Sequence, residues 1–258
     1  MNRGFIFDLD GTIYLEDRLI DGAAEAIAEL KKRGDKVVFL TNKSIFKRTK
    51  YVEKLKKMGI QVNIHEVINS NFLTAIYLKN RLKSDEKVFV IGEQPLIEEL
   101  NEQEIEITSN PLQAKYVVIG WDRNFNYEKI NAAFQAWRNG AELIATNPDR
   151  TCPVKGGQVP DCGSMIGAME GATGTTVRTI LGKPSKIAAK YLLENVLQLN
   201  PDSCYVVGDR LETDIKMGIE NGMKTVLVLT GITTLEMVKH SSYKPTYILD
   251  SVKNIVNI

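Results

Sequence analysis

The sequence predicts an α/β fold in which a sheet of parallel strands is connected by helices. Two observations predict it: short apolar runs alternate along the chain with segments of helical periodicity, and several of the apolar runs end in polar or charged residues. The 258 residues, 43% hydrophobic and 25% charged, suffice for one or two globular domains. With 33 basic and 32 acidic residues, the net charge of +1 favours neither nucleic acid nor an anionic membrane as a partner.

The first part of the chain contains three strand and helix units. Apolar side chains recur every three or four residues in its helices, for example at Ala26, Ile27 and Leu30, and Gly34 supplies a stop. In chain order we predict a strand that ends at Phe7, a helix over 23–32, a strand over 36–41, a helix over 46–58 capped by Ser44, a strand over 67–69 and a helix over 72–82. The polar stretch 83–86 is suitable as a linker.

The pattern then restarts and suggests a second α/β unit. We predict strands over 88–92, 116–120 and 143–146, helices near 96–100 and over 127–139, a loop rich in Gly and Pro over 147–163, and a short helix that ends near Gly171. Strands over 177–181, 205–208 and 225–229 follow, with helices near 185–197 and 213–221. The economical arrangement is one split domain, residues 1–83 with 178–258, that carries an inserted domain of residues 84–177.

Cysteine usage and hydropathy exclude several other classes of protein. The three cysteines lack the CxxC spacing of a metal site, and the two histidines lie far from them in sequence, so we interpret the thiols as reduced and structural. No apolar run approaches the roughly 18 residues of a spanning helix, and the N-terminus lacks the pattern of a signal peptide. We therefore expect a cytoplasmic location.

Polar residues cluster beyond the carboxyl ends of four predicted strands, which is where open parallel sheets bind ligands. The clusters are Asp8 with Asp10, Thr41 with Asn42, Gly182-Lys183-Pro184, and Gly208-Asp209-Arg210 followed by Glu212, Thr213 and Asp214. Two acids at the end of a buried strand need a compensating cation, because burial of uncompensated carboxylates is costly. Carboxylate oxygens without histidine or cysteine suit Mg²⁺.

These clusters offer the groups that phosphoryl transfer needs. One carboxylate of the Asp8 and Asp10 pair can attack phosphorus to give an acyl phosphate, while the other can protonate the leaving group and later activate water. Thr41 and Lys183 can hold phosphoryl oxygens by a hydroxyl and a point charge. Asp209 can complete the metal site.

Through Asp8-Leu9-Asp10-Gly11-Thr12, Thr41-Asn42, Lys183-Pro184 and Gly208-Asp209-Arg210-Leu211-Glu212-Thr213-Asp214, the chain resembles the haloacid dehalogenase superfamily of aspartate-nucleophile phosphohydrolases. The insertion between the second and third motifs resembles the type II (C2) cap, and residues 145–149 resemble the NagD-like, 4-nitrophenylphosphatase-like branch. The resemblance implies a Rossmann-like core, a cap that shapes the substrate pocket, Mg²⁺ and an aspartyl-phosphate intermediate.

The resemblance also implies a role for each matching residue. Asp8 is expected as the nucleophile and Asp10 as the acid and base. Thr41, Asn42 and Lys183 are expected to bind phosphate. Asp8, the backbone carbonyl of Asp10, and Asp209 are expected to ligate Mg²⁺, with Asp214 supporting the site. For Asn147 and Asp149, substrate contact and a loop-stabilising role are both open. Lys43 departs from the Asn usual at its position, and it could either favour more acidic substrates or point to solvent.

The expected activity is Mg²⁺-dependent hydrolysis of a small phosphorylated metabolite such as a sugar or polyol phosphate, with promiscuity left open. A phosphotransferase or phosphomutase could use the same aspartyl phosphate. A non-catalytic phosphate-binding regulator is a further alternative, although the intact Asp8 speaks against it. A homodimer formed through the cap is also left open.

Overall fold

The computed structural model of the protein describes residues 3–154 and 156–258; Met1, Asn2 and Lys155 lie outside the described residues. The strands are, in chain order, β1 (Gly4–Phe7), β2 (Tyr14–Leu15), β3 (Arg18–Leu19), β4 (Lys36–Thr41), β5 (Val67–Asn69), β6 (Lys87–Ile91), β7 (Ala114–Ile119), β8 (Glu142–Ala145), β9 (Thr151–Val154), β10 (Gly157–Pro160), β11 (Thr179–Ile180), β12 (Cys204–Gly208), β13 (Lys224–Val228) and β14 (Tyr247–Leu249).

The helices interleave with these strands. They are α1 (Ala23–Lys32), α2 (Arg48–Lys57), α3 (Ser70–Lys79), α4 (Gln94–Glu102), α5 (Tyr127–Arg138), α6 (Cys162–Thr173), α7 (Lys186–Tyr191), α8 (Lys216–Glu220) and α9 (Leu235–His240). Two π-helical segments, Leu192–Leu197 and Leu211–Ile215, continue α7 and precede α8. The predicted α/β class is confirmed.

Contacts between residues divide the chain into two compact units. The first comprises the residues up to Thr41 together with Arg48–Ile68 and Lys183–Ile258. The second comprises Asn42–Lys47 and Asn69–Gly182. The helix α3 packs against α4 and so groups with the second unit, whereas the boundary expected from the sequence follows residue 83. The split of 1–83 and 178–258 from 84–177 stays a prediction.

The first unit is built on a six-stranded sheet with the order β14-β13-β12-β1-β4-β5. The strand β1 pairs in parallel with both β12 and β4, with Phe7 opposite Val207 on one side and Phe39 on the other. From β1 the chain first builds the sheet towards β5 and later builds it towards β14. The carboxyl ends of β1 and β12 therefore meet at the topological switch point, where sheets of this type bind ligands.

The first strand is a continuous apolar run because both of its faces are covered. Phe5, Ile6 and Phe7 are completely buried, and the ring of Phe5 stacks on Tyr205 with 4.9 Å between centroids. Helix α1 adds Ile27 and Leu30 to the same core. A strand buried on both faces in this way is typical of the centre of a parallel sheet.

The second unit has its own four-stranded sheet, with the order β11-β8-β7-β6 and parallel pairing throughout. Its core joins apolar side chains of the sheet, such as Val117 and Ile119, to Ala133 and Ala136 of α5 and to Met169 of α6. The short strand β11 pairs with β8 in this sheet. The sequence alone predicts a longer strand, over 177–181, and assigns it to the core domain.

Several predicted elements match closely, while others differ for identifiable reasons. Helix α1 and strands β4 and β5 have the predicted bounds. Helix α2 begins at Arg48 rather than residue 46, so the predicted cap at Ser44 is wrong, and the buried Ser44 hydroxyl has no hydrogen-bond partner among the described residues. Strand β14 and helix α9 were not predicted, because both are short and largely exposed and therefore lack a clear apolar pattern.

The predicted loop over 147–163 contains an antiparallel hairpin, β9 with β10, in which Cys152 lies opposite Val159. Pro153, Pro160, Gly156 and Gly157 favour an irregular loop when the sequence alone is considered. Both strands of a two-stranded ribbon are edge strands, and prolines are tolerated there because one row of backbone groups has no strand to pair with.

Within the described residues, none of the helices is long and apolar enough to cross a bilayer.

Candidate active site

The carboxyl end of β1 fixes the position of Asp8. The backbone amide of Asp8 donates to the carbonyl of Val207 at 2.8 Å, so the pairing with β12 continues one residue beyond β1. The residue is only 9% exposed. A carboxylate is thus held at the switch point of the sheet by a rigid strand on each side.

A tight turn follows Asp8 and carries Asp10. The carbonyl of Leu9 accepts hydrogen bonds from the amides of residues 12, 13 and 14, and the amide of Gly11 donates to the carbonyl of Tyr14 at 2.8 Å. Gly11 has a φ of 87°, and a Cβ there would lie 2.6 Å from Oδ2 of Asp209. Glycine is therefore required for both the backbone conformation and the close approach of Asp209.

Lys183 joins two of the predicted acids. Its Nζ lies 2.5 Å from Oδ1 of Asp8 and 2.7 Å from Oδ1 of Asp214, and the lysine is 3% exposed. Burial alone would lower the pKa of Lys183, but the charges of Asp214 and Asp8 outweigh burial and hold that pKa above its usual value. The lysine is therefore a permanent cation inside the site.

Asp214 lies in the π-helical segment that follows β12. Its Oδ2 accepts a hydrogen bond of 3.1 Å from the backbone amide of Arg210, and its Oδ1 faces Lys183. Burial, opposed in part by Lys183, raises the pKa of Asp214 to about 6. Because both oxygens already have protein partners, Asp214 is suited to orienting Lys183 and the start of its own helix.

Asp209 immediately follows β12 and is almost completely buried. Its Oδ2 accepts a hydrogen bond of 2.8 Å from the backbone amide of Ile232. Its Oδ1 is buried and has no hydrogen-bond partner within residues 3–154 and 156–258. Burial raises the pKa of Asp209 to about 7, and the charges of Asp8 and Asp214 add to the shift. This carboxylate therefore has an unsatisfied acceptor where a further cation would be stabilising.

The donor set fits a divalent cation. One oxygen from each of Asp8, Asp209 and Asp214 lies within 4.8 Å of the other two, and the ammonium of Lys183 contacts two of these acids, Asp8 and Asp214. Hard cations such as Mg²⁺ prefer carboxylate oxygens. The unpaired Oδ1 of Asp209 and the excess of negative charge are the two observations that support a metal here.

The remaining predicted residues divide between the two units. Thr41 ends β4 and is buried; since Phe39 pairs with Phe7, Thr41 lies at the same sheet edge as Asp8. Asn42 begins the second unit, where its carbonyl accepts hydrogen bonds from Oγ of Ser70 at 2.7 Å and Nδ2 of Asn147 at 2.9 Å.

Asn147 and Asp149 lie in the loop after β8, in the second unit. Oδ1 of Asn147 accepts a hydrogen bond of 3.1 Å from the amide of Asp149. With its Nδ2 on the carbonyl of Asn42, the Asn147 side chain bridges two segments of the unit. These bonds support the loop-stabilising role that the sequence left open for this residue.

A loop after β13 also contributes to the site, although the sequence reasoning gave it no role. Besides the Ile232 amide, the hydroxyl of Thr230 donates to the carbonyl of Gly11 at 2.6 Å. The signal was present in the sequence, since Thr230-Gly231-Ile232-Thr233-Thr234 follows a predicted strand as the four assigned clusters do. Because this segment contains no charged residue, the sequence alone assigns it no role in the site.

Comparison with known families gives matches at both ends of the chain. Residues 5–106 match the family model described as haloacid dehalogenase-like hydrolase, and residues 180–255 match the model described as HAD-hydrolase-like. These segments contain Asp8 and Asp10 in the first match, and Lys183, Asp209 and Asp214 in the second.

Individual proteins are similar to the chain over almost its whole length. The sugar-phosphatase AraL of Bacillus subtilis is 37% identical over 255 residues, which cover 99% of this chain and 92% of AraL. The structure of a p-nitrophenyl phosphatase from Archaeoglobus fulgidus has a TM-score of 0.93 and 35% identity, covering 100% of this chain and 99% of that one. The structure of NagD from E. coli K-12 has a TM-score of 0.90 and 29% identity, covering both chains completely.

Proposed function

The chain belongs to the haloacid dehalogenase-like hydrolase family, and we propose that it is a Mg²⁺-dependent phosphatase that hydrolyses small phosphomonoesters through phospho-Asp8. The NagD-like and 4-nitrophenylphosphatase-like resemblance and the C2-type cap fold expected from the sequence are confirmed by the structural neighbours. One observation carries the proposal: Asp8, Lys183, Asp214 and Asp209 converge at the switch point with more carboxylates than cations.

In the first step, a carboxylate oxygen of Asp8 forms a bond to phosphorus while the bond between phosphorus and the ester oxygen breaks. Asp10 gives its proton to the departing oxygen, and the products are an alcohol and an acyl phosphate on Asp8. Lys183 already binds Oδ1 of Asp8, which orients the carboxylate and leaves its other oxygen for the attack.

In the second step, Asp10 takes a proton from water as the water oxygen bonds to phosphorus. The bond between Asp8 and phosphorus breaks, inorganic phosphate leaves, and both aspartates return to their starting forms. Thr41, Asn42 and Lys183 are assigned to the phosphoryl oxygens, by hydroxyl, amide and charge.

Asp8, the carbonyl oxygen of Asp10, and Asp209 would hold Mg²⁺, with Asp214 supporting the site through Lys183. When bound, Mg²⁺ offsets the negative charge that gathers on the phosphoryl oxygens. The unpaired buried Oδ1 of Asp209 supports this assignment.

We assign the selection of the substrate to the second unit. The substrates that we propose are sugar or polyol phosphates. The sugar-phosphatase activity in the name of AraL supports that class. The proposal extends to a cytoplasmic protein with a small phosphorylated metabolite as its partner. We propose neither a nucleic acid nor a membrane as a partner, but we do propose a homodimer formed through the cap. Cell fractionation tests the location, and light scattering tests the dimer.

Phosphate release from a panel of sugar, polyol, nucleotide and pyridoxal phosphates tests the proposal, with 4-nitrophenyl phosphate as a general substrate. We expect Mg²⁺-dependent release that EDTA stops and that Asp8→Asn removes. Turnover retained in Asp8→Asn would refute the nucleophile. Transfer of phosphate to added glycerol in place of release would instead identify a phosphotransferase.

A further inference from the structure

The loop formed by Thr230, Gly231 and Ile232, which we call the 230–232 loop, encloses one oxygen of Asp209. The amide of Ile232 donates to Oδ2 at 2.8 Å. A Cβ on Gly231 would lie 1.9 Å from that oxygen. Both the hydrogen bond and the absence of a side chain at position 231 are therefore needed for Oδ2 to lie where it does.

The other oxygen of Asp209 has no such hydrogen bond from the described residues. Oδ1 is buried, and no described residue donates a hydrogen bond to it. A buried carboxylate oxygen without a partner is costly, and rotation of the side chain to relieve it is blocked because Oδ2 is enclosed between the loop and Gly11. The loop therefore holds Asp209 with one defined oxygen available to a cation.

The same loop reaches the acidic turn after β1. The hydroxyl of Thr230 donates to the carbonyl of Gly11 at 2.6 Å, next to the Asp10 carbonyl that is assigned to the cation. Thr230 is only partly buried and Ile232 is 36% exposed, so these two side chains add little core packing to the loop, whereas the next residue, Thr233, is buried and its amide donates to the carbonyl of Asp209 at 3.3 Å. Hydrogen bonds from a single short loop thus connect the two segments that carry the assigned ligands.

We propose that Thr230 is a positioning residue for the cation site: its bond to Gly11 holds the 230–232 loop so that Oδ1 of Asp209 faces the metal. This inference rests on the proposed function, since it requires that a divalent cation binds at Asp8 and Asp209. Removal of the Thr230 hydroxyl takes away no ligand, but it removes the contact with Gly11, so the loop and the Asp209 carboxylate are held less firmly. Metal affinity is therefore the property that should change.

The test measures Mn²⁺ and Mg²⁺ binding to the full-length protein, by electron paramagnetic resonance for Mn²⁺ and by calorimetry for Mg²⁺. We expect Thr230→Val to raise both dissociation constants about 10-fold, as loss of a partner that orients a metal ligand does. Thr230→Ser keeps the hydroxyl and should stay within about 3-fold of wild type. The value of kcat at saturating Mg²⁺ should fall much less than the affinity.

Two further variants separate a specific role from general loosening of the region. Thr234→Val removes the side chain that accepts from the Met237 amide at the start of α9, and it should leave metal binding unchanged. Gly231→Ala should weaken binding more than Thr230→Val, because its methyl group displaces Oδ2.

The inference is overturned if Thr230→Val binds as tightly as wild type, or if Thr230→Val, Thr230→Ser and Thr234→Val weaken binding equally. Asp209→Asn separates this failure from failure of the proposed function. Wild-type binding that Asp209→Asn abolishes and Thr230→Val leaves unchanged contradicts only the role of Thr230. Binding that survives Asp209→Asn contradicts the metal site and the inference together.

Discussion

Asp122 and Asp8 each follow a strand of a parallel sheet and each contact a lysine, but their surroundings differ. In the second unit, Oδ2 of Asp122 lies 2.6 Å from Nζ of Lys129, and Oδ1 accepts a hydrogen bond of 2.9 Å from the amide of Asn124. In the first unit, Lys183 is shared between Asp8 and Asp214.

The two sites differ in whether every carboxylate oxygen has a hydrogen-bond or ion-pair partner. Both oxygens of Asp122 have a protein partner, so the pair is complete and needs nothing further. At the Asp8 site a third carboxylate, Asp209, retains an oxygen without a partner among the residues that the structure describes. A complete pair indicates a structural role, whereas a surplus of buried carboxylates indicates a site built for a ligand.

The largest expected difference is in catalysis. Asp8→Asn should lower kcat about 10⁵-fold, because the amide cannot act as the nucleophile. Asp122→Asn should leave kcat within about 2-fold of wild type, since its pair stabilises only its own loop. Release of phosphate from 4-nitrophenyl phosphate measures both. Similar losses in the two variants would show that the comparison does not separate structure from function.

The next difference concerns stability without metal. Lys183→Met should destabilise the EDTA-treated protein by about 3–5 kcal/mol, because it leaves buried carboxylates without their cation. Lys129→Met should cost less, about 2 kcal/mol: it leaves one buried carboxylate, Asp122, which keeps the bond from the Asn124 amide, and Lys129 itself is about one-third exposed. Urea denaturation compares the two. Equal losses would contradict the view that the first site is the more highly charged.

Addition of Mg²⁺ should stabilise only one of the two sites. At 100 times the dissociation constant, Mg²⁺ should contribute about 2.7 kcal/mol to the free energy of unfolding, seen as a higher Tm. Asp122→Asn should keep this gain and Asp209→Asn should lose it. A gain retained in Asp209→Asn would place the metal elsewhere.

The last expected difference is a pH dependence of the metal-free protein. Burial raises the pKa of Asp209 to about 7 from the usual 3.8, with the charges of Asp8 and Asp214 adding to the shift. The folded state then binds the proton more tightly than the unfolded state, so this group lowers stability as the pH rises from about 4 to 7.

Asp209→Asn removes this titration. In EDTA its Tm should approach that of wild type near pH 4 and exceed it by several °C at pH 8. Scanning calorimetry at several pH values measures the difference, and Asp122→Asn is the control. A difference that shrinks as the pH rises would contradict the sign.

Much of the fold could be predicted because its strands and helices carry local signals. The strand over 36–41 and the helix over 23–32 have clear periodicity and clear ends, and the motif residues sit at strand ends where a parallel sheet collects them. Four of them, Asp8, Lys183, Asp209 and Asp214, do lie together. Their individual chemical roles stay predictions.

Other features depend on contacts that the sequence does not display. The hairpin of β9 and β10 forms by pairing between two segments whose residues favour turns. Strand β11 pairs with β8, although the sequence alone assigns it to the core domain. The 230–232 loop acts through backbone and hydroxyl groups, which almost any polar loop contains. Only the folded structure shows which carbonyl or carboxylate they contact.

The pairing of β1 with β12 has a consequence for how the protein acquires activity. It sets Gly4 opposite Cys204, so the central pair of the sheet is among the most distant in sequence. Contacts of this kind form slowly, and during synthesis the N-terminal part of the chain leaves the ribosome first. A nascent chain that already presents Asp8 still lacks Lys183, Asp209 and the 230–232 loop. The complete site can therefore form only late in synthesis. The time at which turnover begins would then report when β1 and β12 have paired.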